Sequence, residues 1–239
     1  MQIGEYAIPG FNVQLIENLR LLPNFLRYFS GKLGLAPTSD LLAENFVQAL
    51  QRLLPNEPVF TFWFRPDEDG VFRSGIFSFG GIHDYRSEGQ VIYHPLVSVD
   101  SWIIQATKIL LGQVVLCEQH CNIQFNTALP YLYGPQEKIE EAQRLLDVET
   151  NRMHLGAHVM DCNENYPLLI VHFGGQQLQW RMNDFWEKRM DRRKVTCILG
   201  MRASSSGPGW IFGHRVMFRL FTVFDRIGSR IGIAKANRP

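Results

Sequence analysis

The sequence predicts an α+β fold: a mainly antiparallel sheet with packed helices, a helical N-terminal third, and a basic, apolar helical segment near the C-terminal end. Three observations predict it. Apolar residues recur at helical spacing before residue 55, alternate in several short runs between 59 and 180, and return to helical spacing after 215. No internal repeat or low-complexity tract interrupts this order.

In the first third, Leu15, Ile16, Leu19, Leu22, Phe25 and Leu26 fall three or four apart, and Pro23 breaks or kinks the run. Pro37-Thr38-Ser39-Asp40 offers a side-chain cap to a second helix. Leu41, Leu42, Phe46, Val47, Leu50, Leu53 and Leu54 then repeat the period until Pro55 ends it. From Val59 the period changes to two. Phe60, Phe62 and Phe64 share one face of a strand, Pro66 to Gly70 forms an acidic turn, and Val71 to Ile82 returns. Residues 58–82 therefore read as a hairpin.

Val99 to Leu111, apolar at Trp102, Ile103, Ala106, Ile109 and Leu110, reads as a helix ended by Gly112. Val114 to Phe125 alternates: Val115, Cys117, Cys121, Ile123 and Phe125 on one side, Glu118, His120, Asn122 and Gln124 on the other. That is the pattern of a half-buried antiparallel strand. A charged helix follows from Pro135 to about Asn151, then short strands near Leu155–Val159 and Leu168–Phe173, before Gly174-Gly175 bends the chain toward Leu178 and Trp180.

The composition is that of an ordinary globular chain: 239 residues, 46% hydrophobic and 20% charged, with a net charge of +1. The even balance hides a split. Residues 1–180 hold 11 Lys+Arg and 19 Asp+Glu, a net −8, while residues 181–239 hold 13 and 4, a net +9. The chain thus divides into an acidic α+β body (1–180) and a basic C-terminal docking region (181–239), continuous with it in a single domain or set apart. No stretch reaches 18 uninterrupted apolar residues, so no spanning helix is expected. The first basic residue is Arg20, which leaves no charged start for a secretory leader. Four cysteines, Cys117, Cys121, Cys162 and Cys197, are too few for a stapled scaffold and read as thiols in a reducing, cytoplasmic setting.

The candidate chemistry is sparse. Cys117, His120, Cys121, His154, His158 and Cys162 carry the atoms zinc favours, but on a strand His120 faces away from Cys117 and Cys121, so the ligands do not converge. A thiol nucleophile (Cys162 or Cys117) with a histidine base (His158 or His172) lacks a cation or helix start to lower the thiol pKa. His83-Asp84-Tyr85-Arg86 gathers four functional groups in one loop, where neighbours cannot all reach one atom. No phosphate loop and no Gly-x-Ser-x-Gly occurs. No metal and no cofactor are expected.

The sharper signal lies between 215 and 231. On a helical projection Arg215, Arg219, Arg226 and Arg230 fall within about 60° of one another, beside a wide apolar arc that includes Phe218, Phe221 and Phe224. These seven residues are the candidate docking surface, for a protein partner in an assembly or for an anionic membrane surface, with the chain peripheral to it. Nucleic acid is a lesser use of the same charge, with Trp186, Trp210 and Phe212 as stacking groups. The expected function is a non-enzymatic structural or interaction subunit of a multiprotein assembly. A thiol- or histidine-dependent enzyme and a nucleic-acid-binding protein are the alternatives.

Overall fold

A computed structural model describes residues 2–3, 6–9, 11, 33–37, 44–66, 72–151, 157–184, 186–191, 194–204 and 209–237. In chain order the first elements are β1 (Gln2–Ile3), β2 (Tyr6–Ala7), α1 (Phe46–Leu53), β3 (Val59–Pro66), β4 (Phe72–Phe79) and β5 (Ser87–Pro95). Next come β6 (Ile103–Leu111), β7 (Val114–Asn126), β8 (Leu132–Gly134), α2 (Gln136–Leu145), β9 (Glu149–Asn151) and β10 (Ala157–Met160). Then follow β11 (Leu169–Phe173), β12 (Gln176–Trp180), β13 (Glu187–Asp191), β14 (Lys194–Ile198) and β15 (Met201–Ala203). The last are β16 (Trp210–Gly213), α3 (His214–Met217), β17 (Leu220–Asp225) and β18 (Arg230–Ala236).

Strands dominate the described residues, which corrects the expectation of an α+β fold with a helical N-terminal third and helices packed on the sheet. Apart from the small β1–β2 pair, the described residues form three sheets. A five-stranded sheet runs β4-β3-β17-β18-β5, a seven-stranded sheet β12-β11-β6-β7-β16-β8-β15, and a four-stranded sheet β13-β14-β10-β9. Pairing is antiparallel except where β16 runs parallel to β7 and β15 parallel to β8. Strands from residues 181–239 pair with strands from 1–180 in all three sheets.

Several sequence expectations match particular elements. The hairpin over 58–82 is β3 and β4, in register from Phe60 against Phe79. The alternating run is β7, and the charged helix is α2, which stops at Leu145; Asp147 turns left-handed (φ 47°) and the chain becomes strand β9. The second N-terminal helix is present as α1. Its cap is Asn45, whose Oδ1 accepts from the Gln48 backbone N–H at 2.9 Å while Gln48 Oε1 accepts from the Asn45 N–H at 2.9 Å. The expected caps Ser39 and Asp40, the helix over 15–26, the acidic turn 67–70 and His154 all lie outside the described residues.

Three expectations are overturned. Residues 99–111 form no helix. They carry β6, which pairs with β7 and β11. The register shifts between Ala106 and Lys108 and again between Ile109 and Leu110, and such bulges break a two-residue alternation into spacings that mimic a helix. Residues 215–231 form no single helix either: α3 ends at Met217, β17 and β18 follow, and a turn with Ser229 at φ 46° joins them. Every residue of β17 is buried, so no alternation marks it as a strand. Finally, the cysteines are not thiols. Cys117 pairs with Cys121 and Cys162 with Cys197. On a regular strand positions four apart lie about 13 Å apart. Cys117 and Cys121 have Cα atoms 6.0 Å apart, because Gln119 and His120 adopt left-handed φ and loop the strand outward between them.

The main core joins the five- and seven-stranded sheets. Phe60 and Phe224, stacked 4.7 Å apart across β3 and β17, meet the Trp102 ring at 5.5 and 5.1 Å. Phe224 also reaches Phe125 on β7 at 6.3 Å. This aromatic junction seats the cleft described next.

Candidate functional site

A cleft of about 330 Å³ opens where β7 leaves the seven-stranded sheet. Aromatic rings of Phe60, Phe62, Trp102, Phe125 and Phe224 form one wall, and the segment Leu33–Pro37 forms another. The polar groups are Asp100, Ser101, Gln124, Asn126 and Thr127. An apolar cleft with a few polar groups at one end is the usual form of a binding site.

The local sequence explains the shape. β7 ends at Asn126, whose Oδ1 accepts from the Ala128 N–H at 3.0 Å, an Asx turn that lifts the chain out of the sheet. Leu129 N donates to Asn126 O at 3.3 Å and tightens the same turn. The loop then runs beside residues 213–215. Gly213 N donates to Tyr131 O (3.0 Å), His214 N to Leu129 O (2.8 Å) and Arg215 N to Pro130 O (3.1 Å). A Cβ at Gly213 would collide with the carbonyls of Leu129 and Tyr131, so only glycine permits this approach. The His214 ring completes the clasp, with Nδ1 3.2 Å from Thr127 O.

On the other side, Trp102 Nε1 donates to Leu35 O at 2.6 Å and ties the 33–37 segment to the cleft wall. Phe125 N donates to Trp102 O at 2.9 Å, locking β7 to the residue before β6. Arg226 Nε donates to Pro37 O at 3.3 Å, and so fastens the rim.

The electrostatics near the clasp are set by burial. Burial holds His214 below the ordinary imidazole range and Arg215 adds to that, against the hydrogen bond to Thr127 O, which favours the cation. Burial and a hydrogen bond to Glu187 push the Tyr131 phenol up to about 12. Burial also acts upward on Glu187, but hydrogen bonds from Arg189 (2.7 Å) and Tyr131 outweigh it and hold the carboxyl below its usual range.

The seven residues expected to form a docking surface are not on one stripe. Phe218, Phe221 and Phe224 are buried, at 2%, 0% and 3% exposure. Arg215 lies on α3 and donates from Nη1 to Trp186 O at 3.0 Å. Arg219 pairs with Asp184, and Arg226 binds Pro37 O. Arg230 pairs with Asp225 at 2.7 Å and lies over the Tyr93 ring at 4.1 Å. Phe224 lines the cleft, and Arg226 fastens its rim. Among the described residues no group of three or more His, Cys, Asp or Glu converges to hold a metal ion. The cleft residues Trp102, Asn126, Thr127 and Ala128 were missed as a site. The available signal was a polar pair, Asn126-Thr127, standing between the cleanest alternating strand and Pro130.

Among the described residues no helix is long and apolar enough to cross a membrane. Comparison with known proteins adds the family. A family model described as eukaryotic aspartyl protease matches residues 1–236. Pregnancy-associated glycoprotein 4 of Ovis aries is 27% identical over 184 residues, covering 76% of this chain and 47% of that protein. Renin of Rattus norvegicus is 26% identical over 231 residues (92% and 56%), and cathepsin D of Homo sapiens 24% over 220 residues (88% and 53%). The chain spans about half the length of the curated relatives it matches. A match to a protease family over nearly the whole chain overturns the expected non-enzymatic structural subunit. The thiol-enzyme alternative falls as well, since both pairs of cysteines are joined.

Proposed function

Because this chain belongs to the eukaryotic aspartyl protease family, we propose that it serves as the peptide-gripping lobe of a peptide-bond hydrolase. The observation that carries this reading is the aromatic cleft at the end of β7, closed by the Asn126–Tyr131 loop. An extended peptide would lay its apolar side chains against Phe60, Phe62, Trp102 and Phe125 and its polar backbone near Asn126 and Thr127.

Hydrolysis of the aspartyl type needs two carboxylates about 3 Å apart that share one proton. The described residues lining the cleft include one aspartate, Asp100, while Gln124 and Asn126 are amides that neither give up nor accept a proton in this role. This lobe therefore binds and orients the peptide. Proton transfer depends on carboxylates from outside this lining, consistent with the chain spanning about half the length of its relatives.

Two disulfides support an oxidising compartment in this reading, in place of the cytoplasm. The test is titration of the intact chain with an apolar fluorogenic peptide, followed by Trp102 fluorescence with Trp102→Phe as the control, and by product release. Saturable binding without turnover is the expected result. Lack of binding, or turnover by this chain alone, would overturn the reading.

A further inference from the structure

We propose that His214 is a proton-operated latch on the loop that floors the cleft: neutral, it clasps residues 127–131 to the sheet, and protonated, it favours release of that loop to solvent. The inference deepens the peptide-gripping reading, on which only its effect on peptide affinity rests.

The geometry carries it. His214 engages the loop twice, through its backbone N–H to Leu129 O (2.8 Å) and through Nδ1 to Thr127 O (3.2 Å). A carbonyl can only accept, so Nδ1 bears the proton and Nε2 is the free lone pair of the neutral ring. The ring packs on Phe218, with centroids 5.6 Å apart. The elements around it are the loop (Thr127, Leu129, Pro130), the end of β16 (Gly213), its own helix (Arg215) and Phe218. Arg215 is the charged group that acts on it among the described residues, and it is positive. Glu187, the acid that acts on Arg215, is committed to Tyr131 and Arg189.

Protonation at Nε2 thus creates a second cation beside Arg215 in a half-buried position, with no carboxylate assigned to it. The bond to Thr127 O survives protonation and by itself favours the cation, but burial and Arg215 oppose it, and the net shift is downward. The sign follows. A histidine depressed in the closed form stabilises that form fully above its ordinary pKa, and this contribution is lost as pH falls through the depressed value. Opening the loop lets water solvate the imidazolium, so acid shifts the population toward the open loop.

The experiment is amide hydrogen exchange of the intact chain from pH 7.5 to 4.5, corrected for intrinsic exchange, with peptide affinity measured in parallel. Expected is a selective loss of protection at Gly213, His214 and Arg215, whose N–H groups donate to the loop carbonyls, tending toward about tenfold per pH unit in the titrating range. His214→Gln keeps a donor for Thr127 O without a titrating ring, and should hold protection constant across the range. If the wild-type chain keeps this protection in acid, or His214→Gln loses it to the same extent, the latch is refuted. If protection falls as expected while peptide affinity never existed, the latch stands and the peptide-gripping reading fails.

Discussion

β17 and β5 belong to the same five-stranded sheet, yet their sequences carry opposite signals. β17 lies at the centre, and all six of its residues, Leu220 to Asp225, are buried. β5 lies at the border, and His94 is its one buried residue. The contrast teaches that alternation records burial on one face and not strand geometry itself. A strand covered on both faces has no polar side to reveal its period.

The contrast can be broken first by truncation. Phe224→Ala removes a ring that packs on Phe60, Trp102 and Phe125, and should cost about 3–5 kcal/mol in urea unfolding. Ile92→Ala on β5, where the side chain is 40% exposed, should cost less than about 1 kcal/mol. Equal losses would erase the distinction between centre and border.

The disulfides extend the comparison from strands to cross-links. Cys162–Cys197 closes 35 residues and anchors the inner strand β14, whereas Cys117–Cys121 closes four at the bulge of β7. On loop-closure entropy, replacing the first pair should cost about 4 kcal/mol and the second about 2. Calorimetry of the two double variants would measure the gap.

Charge pairs should repeat the pattern on a smaller scale. Arg219, just ahead of β17, pairs with Asp184, whose side chain is 5% exposed. Arg219→Ala takes the cation from that carboxylate, leaving it the Arg181 N–H at 2.7 Å, and should cost about 2 kcal/mol. Lys235 and Glu88 join β18 to β5 in the open, so Lys235→Ala should cost less than about 1 kcal/mol.

The smallest effect is expected at His94, the exception on β5. Its Nε2 donates to Gln176 Oε1 at 2.8 Å, and Gln176 Nε2 donates to Ile233 O at 3.0 Å, which joins β5, β12 and β18. Burial lowers its pKa, and the Gln176 bond only partly offsets this. His94 therefore stabilises the fold at neutral pH, and the contribution fades as pH falls from the ordinary histidine value through the lowered one. A plot of Tm against pH should flatten below about 6.5 in His94→Gln; an unchanged slope would assign it to another group.

The same physics separates what the sequence reveals from what it hides. β7 was legible because Ile123 and Phe125 face the core while Glu118 and His120 do not. The β3–β4 hairpin and α2 were legible from local period and turn residues. β6 was misread because two bulges shift its phase, so that Ile104 and Ala106 are followed inward by Ile109 and Leu111. The arginines of 215–231 looked like one stripe because nothing local shows that Asp184 and Asp225 will neutralise two of them. The cleft residues come together only through strand pairing, with Trp210–Gly213 lying beside Ile123–Asn126. Such long-range register leaves no mark on local periodicity.

The place of β17 in the sheet has a consequence for synthesis. Thr222 lies beside Phe62, 160 residues earlier in the chain. At ribosomal speeds of about 5–20 residues per second, the β3–β4 hairpin must wait roughly ten to thirty seconds for its central neighbour to emerge. Throughout that interval Phe60 and Phe62 have Phe77 of their own hairpin but not Phe224 to cover them, and shelter by a chaperone would decide how much nascent chain escapes aggregation.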